Sequence, residues 1–224
     1  IPNLFRYERP QKGRLREHYQ LNVDIFGAEG VEAEIEVISV ARKVLLNMGL
    51  KDNQFKARVS DRTILRGYLS SLGLDAEKTT RLEKLIDRKN KIEDFETQAK
   101  EIAGSSFNMN ALAPNENLQK VIDRIKELGG NIEFDPYIVR GFDYYTGVVF
   151  EFYDTGSENN RSICGGGRYD ELLSIFGVES LPTVGFGFGD VIARDLLETY
   201  NLLPKYNNPS QIEICPLRAE FFAD

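Results

Sequence analysis

Cations suited to phosphate binding are concentrated near the start of the chain. The stretch FRYERPQKGRLR holds five cations among the eleven residues 6–16, with one acid, Glu8. The whole chain has a net charge of −7, so this cluster is a local feature and not part of a generally basic surface. Arginine guanidinium groups bind phosphate or carboxylate oxygens in pairs. The cluster therefore predicts a site for a polyanionic ligand.

Polar and apolar residues alternate directly after this cluster. If residues 16–25 form one strand, one of its faces is apolar and the other carries hydrogen-bonding groups. The polar face consists of Arg16, His18, Gln20, Asn22 and Asp24, and the apolar face of Tyr19, Leu21, Val23 and Ile25. Alternation alone is equally consistent with a solvated sheet face. Solvated faces usually repeat Lys, Glu and Thr, however, so the varied set favours a polar binding surface.

A second candidate is the stretch VRGFDYYTGVVFEF, which places Arg140 among apolar residues. A buried guanidinium keeps its charge, so Arg140 requires either an acidic partner such as Asp143 or an anionic ligand. Both interpretations stay open. Arg140 and Tyr145 face opposite ways on a regular strand, and they converge only where Gly141 or the YTG stretch breaks the alternation.

Glycines alternate with phenylalanines in a third candidate, TVGFGFGD, which follows the related stretch CGGGRYD. A strand with this pattern has one bare face and one aromatic face. The bare face either lets a flat group lie on the sheet or packs against another backbone. The spacing is not G-x-G-x-x-G, and no βαβ unit surrounds it, so the pattern does not predict a dinucleotide fold.

The elements that must position these residues follow from periodicity and turn residues. A hairpin is predicted from strands at 3–8 and 17–26, and further strands at 55–60, 132–139, 146–153, 161–165, 183–188 and 211–217. Helices are predicted at 30–49, 118–130 and 190–204, and a helical region at 61–102 with a polar connector at 104–117. Antiparallel hairpins with helices inserted between them indicate an α+β fold.

Composition limits the other possibilities. The chain has 224 residues, 42% of them hydrophobic and 28% charged, which is typical of a globular protein. Two cysteines, Cys164 and Cys215, favour a reducing compartment and hence a cytoplasmic location. The sequence contains no run long and apolar enough to span a membrane. With one histidine and two cysteines, a zinc site is not expected.

Four blocks of the sequence resemble, in the same order, the histidyl-tRNA synthetase family of class II aminoacyl-tRNA synthetases. FRYERPQKGRLREHYQ is similar to motif 2, RGFDYYTG to the histidine-specific signature, GGGRYDELL to the block that follows it, and PTVGFGFGD to motif 3. The resemblance implies an antiparallel active-site sheet flanked by helices, with a helical insertion. It also implies ATP-dependent activation of L-histidine, with Mg²⁺, and transfer of the histidyl group to the 3′ end of tRNA(His).

The resemblance assigns roles to residues at matching positions. Arg6 and Arg140 are implied to be catalytic at the α-phosphate. The residues implied to bind ATP are Arg6, Glu8, Arg14, His18, Gly187 and Gly189. Those implied to bind histidine are Arg6, Gln20, Asp24, Arg140, Tyr144, Tyr145 and Tyr169. Two positions depart from the family pattern: His18 replaces a phenylalanine that stacks on adenine, and Ile192 replaces the motif 3 arginine.

The resemblance also implies a division of the chain. Residues 1–60 and 118–204 are expected to form the two parts of the catalytic core, and residues 61–117 a helical insertion domain. Residues 205–224 are expected to be a linker and the start of a truncated anticodon-binding domain. Motif 1 and a histidine-binding loop are expected before Ile1, so the chain is interpreted as a catalytic-core fragment of a homodimeric protein.

Two other interpretations share the same fold. One is the regulatory subunit of ATP phosphoribosyltransferase in histidine biosynthesis, which binds histidine without charging tRNA. The other is a sensor domain for uncharged tRNA. Paralogues that do not activate histidine tend to lose the phosphate-binding arginines, whereas Arg6, Arg14 and Arg140 are all present here. This favours the enzyme.

Overall fold

The computed structural model describes residues 1–7, 15–89, 92–139, 145–156 and 162–205. The strands in these ranges are β1 (Asn3–Phe5), β2 (Glu17–Phe26), β3 (Phe55–Asp61), β4 (Ile132–Phe134), β5 (Val148–Asp154), β6 (Ser162–Arg168) and β7 (Thr183–Gly189). The α-helices are α1 (Glu32–Asn47), α2 (Arg62–Ser71), α3 (Ala76–Asp87), α4 (Phe95–Ala103), α5 (Glu116–Glu127) and α6 (Asp190–Thr199). The strand predicted at 211–217 lies outside the described residues.

The strands form one sheet in the order β1-β2-β7-β6-β5-β3-β4. Neighbours pair antiparallel except at one edge, where β4 runs parallel to β3 and Ile132 lies opposite Ala57. The α+β prediction is confirmed, and the sheet is mixed instead of purely antiparallel. The predicted strand at 132–139 is wrong beyond Phe134. The chain turns there because the Asp135 side chain accepts the Tyr137 N–H at 3.0 Å.

Helices α1, α5 and α6 cover one face of the sheet and form the main hydrophobic core with it. Helix α5 illustrates why these segments are helical. Its buried side chains are Leu118, Val121, Ile122 and Ile125, which form one stripe at helical spacing. Asn115 caps the helix by accepting the Leu118 N–H at 2.8 Å.

Helices α2, α3 and α4 enclose a second hydrophobic cluster. Its buried members include Leu65 and Leu69 of α2, Leu82 and Ile86 of α3, and Phe95 of α4. Phe95 packs edge-on against Phe107, with ring centroids 6.1 Å apart. The cluster also takes in Val139, far along the chain. These three helices therefore bury their apolar faces against one another and against the segment that precedes residue 140.

A buried ion pair joins β6 to α1. The Arg168 guanidinium donates from Nε to Glu34 Oε1 at 2.5 Å and from Nη2 to Glu34 Oε2 at 2.8 Å. It also donates to the carbonyl oxygens of Ala28 and Gly30, at 3.0 and 3.3 Å. Glu34 is 2% exposed and Arg168 9%. The hydrogen bond to Glu34 raises the pKa of Arg168, so the guanidinium stays charged.

We predict that Glu34→Gln lowers the free energy of unfolding by about 3 kcal/mol, because it removes the buried counter-charge of Arg168 and leaves only the partly exposed Asp170 carboxylate, 3.3 Å from Nη1. Chemical denaturation monitored by circular dichroism measures the change. The matched control is Glu32→Gln, at an exposed position in the first turn of the same helix. The control should cost less than about 1 kcal/mol. Equal destabilisation by both variants would contradict a structural role for the pair.

Candidate active site

The pairing of β2 with β7 sets the polar side chains of β2 opposite the glycines of β7. Asp24 lies opposite Gly185, Asn22 opposite Gly187 and Gln20 opposite Gly189. Directly paired residues share a face of the sheet, so the polar face of one strand meets the bare face of the other. The other faces of both strands contribute to the main core, through Leu21, Val23, Ile25, Phe186 and Phe188. The predicted alternation is confirmed for both strands.

One residue of the predicted apolar face lies outside the core. Tyr19 is 51% exposed. Strand β7 ends opposite Gln20, so Tyr19 lies beyond its last residue. The Asp190 carboxylate accepts the Tyr19 N–H at 3.1 Å and extends the β2–β7 contact by one position. Alternation predicts which way a side chain points, but it does not predict where the neighbouring strand stops.

The glycines leave room for the polar side chains to lie across the sheet. A Cβ at Gly185 would be 2.0 Å from Asp24 Oδ1, and one at Gly187 would be 2.6 Å from Gln20 Nε2. A glycine is needed at position 166 for a different reason: its Cβ would be 1.8 Å from the carbonyl oxygen of Gly185. Gly166 pairs with Phe186 and therefore lies on the core face of the sheet, not on the bare face of β7. Gly166 permits close backbone packing, and Gly185 and Gly187 line an open site.

A cavity of about 510 Å³ lies over this part of the sheet. Its volume is in the range typical of small-molecule sites. It is lined by Arg6, Gln20, Asn22, Asp24, Phe26, Tyr145, Gly165, Tyr169, Leu172, Gly185, Phe186 and Gly187. The structure therefore brings together five of the residues predicted to bind histidine, namely Arg6, Gln20, Asp24, Tyr145 and Tyr169. Arg140 and Tyr144 lie outside the described residues.

Hydrogen bonds order the polar side chains of the cavity. Arg6 Nη2 donates to Gln20 Oε1 at 3.2 Å, and Gln20 Nε2 donates to Asn22 Oδ1 at 2.6 Å. The Tyr169 hydroxyl donates to the Asp24 carboxylate. Because four residues of an extended strand span about 13 Å, the Arg6–Gln20 contact and the Asp24 carboxylate lie at opposite ends of the row. This separation of charge suits a small zwitterionic ligand.

Two tyrosines form the aromatic wall of the cavity. The rings of Tyr145 and Tyr169 meet edge to face, with centroids 6.3 Å apart. Tyr169 is 5% exposed and follows Arg168, whose contacts with α1 fix the end of β6. The ion pair therefore also positions Tyr169. An aromatic wall beside a carboxylate accommodates a flat ring that can donate a hydrogen bond.

The residues predicted to bind ATP are only partly gathered at this cavity. Gly187 lines it. His18 and Gly189 lie beside each other beyond it, because a Cβ at Gly189 would be 3.9 Å from His18 Cδ2. His18 Nδ1 is buried without a hydrogen-bond partner among the residues that the structure describes. Glu8 and Arg14 lie outside those residues.

Ile192 has a packing role at the position where the resemblance implies a motif 3 arginine. Its side chain is partly buried against the main core, on the apolar side of α6. The departure therefore replaces a charged group with an apolar contact.

The sequence patterns contain two further residues of the site without predicting a specific role for either. Asn22 belonged to the polar face, and Arg168 followed three glycines, yet nothing local indicated that Arg168 reaches Glu34, 134 residues away.

Comparison with known proteins identifies the family. The model for histidyl-tRNA synthetase matches residues 2–113 and 92–189. The chain belongs to the histidyl-tRNA synthetase family. A histidine–tRNA ligase of Leptospira biflexa is 39% identical over 249 residues, covering 100% of this chain and 57% of its own length. The enzyme of Natronomonas pharaonis is 39% identical over 216 residues, covering 83% of this chain and 49% of its own length.

Solved structures agree on the fold. The histidyl-tRNA synthetase of Nostoc sp. PCC 7120 is 22% identical, with a TM-score of 0.74, and the match covers 99% of this chain and 58% of that one. A protein of Bacillus halodurans described as an ATP phosphoribosyltransferase regulatory subunit/histidyl-tRNA synthetase is 25% identical, with a TM-score of 0.66 over 87% of this chain. The chain spans about half the length of these relatives. None of its described helices is long and apolar enough to cross a membrane.

The glycine face gives a prediction about stability. Gly185→Ala should lower the free energy of unfolding by about 2 kcal/mol, because the new methyl group overlaps Asp24 Oδ1 and lies 2.6 Å from the Val23 carbonyl oxygen. Thermal or chemical denaturation measures this change.

Gly67→Ala in α2 is the matched control. Nothing lies within 4 Å of the Cβ that it adds. Because alanine favours the helix over glycine, this variant should be stabilised by up to about 1 kcal/mol. If Gly185→Ala were as stable as Gly67→Ala, that result would contradict the close approach of β2 to β7 at Gly185.

Proposed function

We propose that this chain is the catalytic core of a histidine–tRNA ligase. It activates L-histidine with ATP to histidyl-adenylate and pyrophosphate, and it then transfers the histidyl group to the 3′ end of tRNA(His). The observation that carries the proposal is the cavity above β2 and β7. There Gln20, Asp24, Tyr145 and Tyr169 surround one space with Arg6 at its rim, in a chain that belongs to this family.

The two steps require positioning and charge stabilisation more than a protein nucleophile. In the first step, a carboxylate oxygen of histidine bonds to the α-phosphorus of ATP while the bond from that phosphorus to the β-phosphate oxygen breaks. In the second step, a hydroxyl of the terminal ribose attacks the acyl carbon, and AMP leaves. Arg6 is exposed at the cavity rim, where its guanidinium would stabilise charge on the α-phosphate. Arg140 is proposed to act with it.

Histidine would lie across the glycine face between the two charged ends of the cavity. Its carboxylate would face Arg6, and its imidazole would lie against Tyr145 and Tyr169, within reach of Asp24 and Gln20. A side chain without ring nitrogens would leave these polar groups buried and unpaired. The pocket is therefore proposed to select histidine by hydrogen bonding more than by size.

ATP is proposed to bind as its magnesium complex next to this pocket. Mg²⁺ is usually held mainly by phosphate oxygens and water, with one or two carboxylates. Among the described residues, no group of three or more His, Cys, Asp or Glu side chains could hold a metal ion. The nucleotide would contact Arg6, Glu8, Arg14, His18, Gly187 and Gly189, and its adenine would be held without an arginine at position 192.

The wider organisation is also a proposal. The second hydrophobic cluster, enclosed by α2, α3 and α4, supports a helical insertion domain at residues 61–117, between core segments 1–60 and 118–204. Residues 205–224 would begin an anticodon-binding domain. The full-length protein is proposed to be a cytoplasmic homodimer that binds tRNA(His).

A regulatory subunit of histidine biosynthesis is the second candidate, because a protein described by both names shares the fold. Such a subunit needs the histidine pocket but not the ATP site. Histidine-dependent exchange of pyrophosphate into ATP by the full-length protein separates the two. Exchange supports the ligase, and histidine binding without exchange supports the regulatory subunit.

We predict that Arg6→Ala lowers the rate of histidine-dependent pyrophosphate exchange by about a hundredfold or more, since removing one donor aimed at developing charge costs about 3 kcal/mol. The melting temperature should stay the same, because Arg6 is exposed. Arg194→Ala is the control, since Arg194 lies on the surface of α6 and pairs with Glu198. An unchanged rate of pyrophosphate exchange in Arg6→Ala would show that Arg6 is not a catalytic residue.

Gln20→Leu tests the histidine pocket separately from the ATP site. Leucine has a similar size but cannot hydrogen bond, so the KM for histidine should rise at least about tenfold while the KM for ATP changes little. Steady-state exchange kinetics with each substrate varied in turn measure both constants. Equal increases in the two constants would indicate that Gln20 supports the fold and does not contact histidine.

A further inference from the structure

Two arginines on α2 contact the chain on either side of residues 140–144. Arg62 Nη1 donates to the carbonyl oxygen of Val139 at 3.3 Å, and Arg66 Nη2 donates to the carbonyl oxygen of Tyr145 at 3.5 Å. The two arginines are four residues apart, so they lie on the same face of α2, one turn from each other. The Arg62 backbone N–H also donates to the Gly147 carbonyl oxygen at 3.0 Å.

Helix α2 is itself firmly held at this end. The Asp61 side chain caps it by accepting the Thr63 N–H at 2.8 Å, and it accepts Asn115 Nδ2 at 3.0 Å. Arg62 is 2% exposed, so its contacts are shielded from water, whereas Arg66 is exposed. The start of α2 is therefore fixed by hydrogen bonds, and the two arginines connect the Val139 and Tyr145 carbonyl oxygens to it.

Among the residues that the structure describes, Tyr145 connects these arginine contacts to the cavity. Its ring lines the cavity and packs against Tyr169, and its carbonyl oxygen accepts from Arg66. The next residue, Thr146, donates its N–H to the Arg168 carbonyl oxygen at 2.8 Å. Tyr145 is thus held between β6 on one side and α2 on the other.

We infer that Arg62 and Arg66 are positioning residues for the histidine pocket, an inference that rests on the proposed function. They fix the backbone around Tyr145, and through it the aromatic wall that would receive the imidazole. Leu65 and Leu69, each three residues after one of the two arginines and thus on the same side of α2, pack into the second hydrophobic cluster. Displacement of the helices in that cluster therefore changes the pocket, and by linkage histidine binding stabilises α2.

The kinetic test uses Arg62→Lys and Arg66→Ala in the full-length protein. Lysine keeps the buried charge of Arg62 but loses the planar fork, so the KM for histidine should rise about tenfold. Arg66→Ala removes an exposed bond, so the KM for histidine should rise about threefold, and Arg66→Lys should restore part of it. The KM for ATP should change less than twofold in each variant, as a role limited to this pocket requires.

Hydrogen exchange followed by mass spectrometry tests the positioning without relying on catalysis. In both variants, amides at 145–148 should exchange about tenfold faster than in the parent protein, while those of α5 stay unchanged. Arg81→Ala, at an exposed position on α3, is the control and should change neither the amide exchange rates nor the KM values.

The possible outcomes separate this inference from the proposed function. A parent protein without pyrophosphate exchange overturns the ligase proposal, and unaltered amide exchange at 145–148 in Arg62→Lys and Arg66→Ala overturns the positioning role. Faster amide exchange with an equal rise in both KM values also overturns it, because the arginines then support the fold in general. Faster exchange at 145–148 with a rise in the KM for histidine alone supports it.

Discussion

Asp24 and Gly185 face each other across the β2–β7 pair, and a methyl group at the glycine would lie 2.0 Å from the Asp24 carboxylate. This pairing is the constraint on which the candidate site depends. It places a row of polar side chains against a row of glycines, so the side chains can lie over the sheet and still leave a cavity. Because side chains alternate every residue, a slip of one position would turn Gln20, Asn22 and Asp24 into the apolar core.

The Arg168–Glu34 pair extends this arrangement to the aromatic wall. It carries two charged hydrogen bonds in a nearly dry environment and ties the end of β6 to α1. Tyr169 follows directly and donates its hydroxyl to Asp24, so the adjacent residues Arg168 and Tyr169 link the end of β6 to α1 and to β2. A buried pair of this kind adds little net stability compared with apolar packing, but its directional bonds fix the register of the parts that it joins. That is what a selective pocket requires.

Several features of the site follow from local patterns. The alternation in β2 predicted its polar and apolar faces, and the Gly-Phe alternation predicted that Phe186 and Phe188 anchor β7 while Gly185 and Gly187 stay bare. The order of four motifs identified the family. Local patterns failed where the answer depended on a neighbouring element. Tyr19 is exposed because β7 stops before it, and the strand predicted to continue past Phe134 ends at a turn set by Asp135.

The sequence by itself determined the type of fold, the strand faces and the residues available for chemistry, because these depend on the order of side chains along the chain. Only the tertiary structure decided which of them meet. Arg168 pairs with Glu34, 134 residues away, and Tyr169 donates to Asp24, 145 residues away. Helix α2 contacts both Val139 and Tyr145. Ile192 is partly buried against the core for the same reason, since α6 turns that position toward the sheet. Contacts between distant segments depend on packing, and no local pattern in the sequence encodes them.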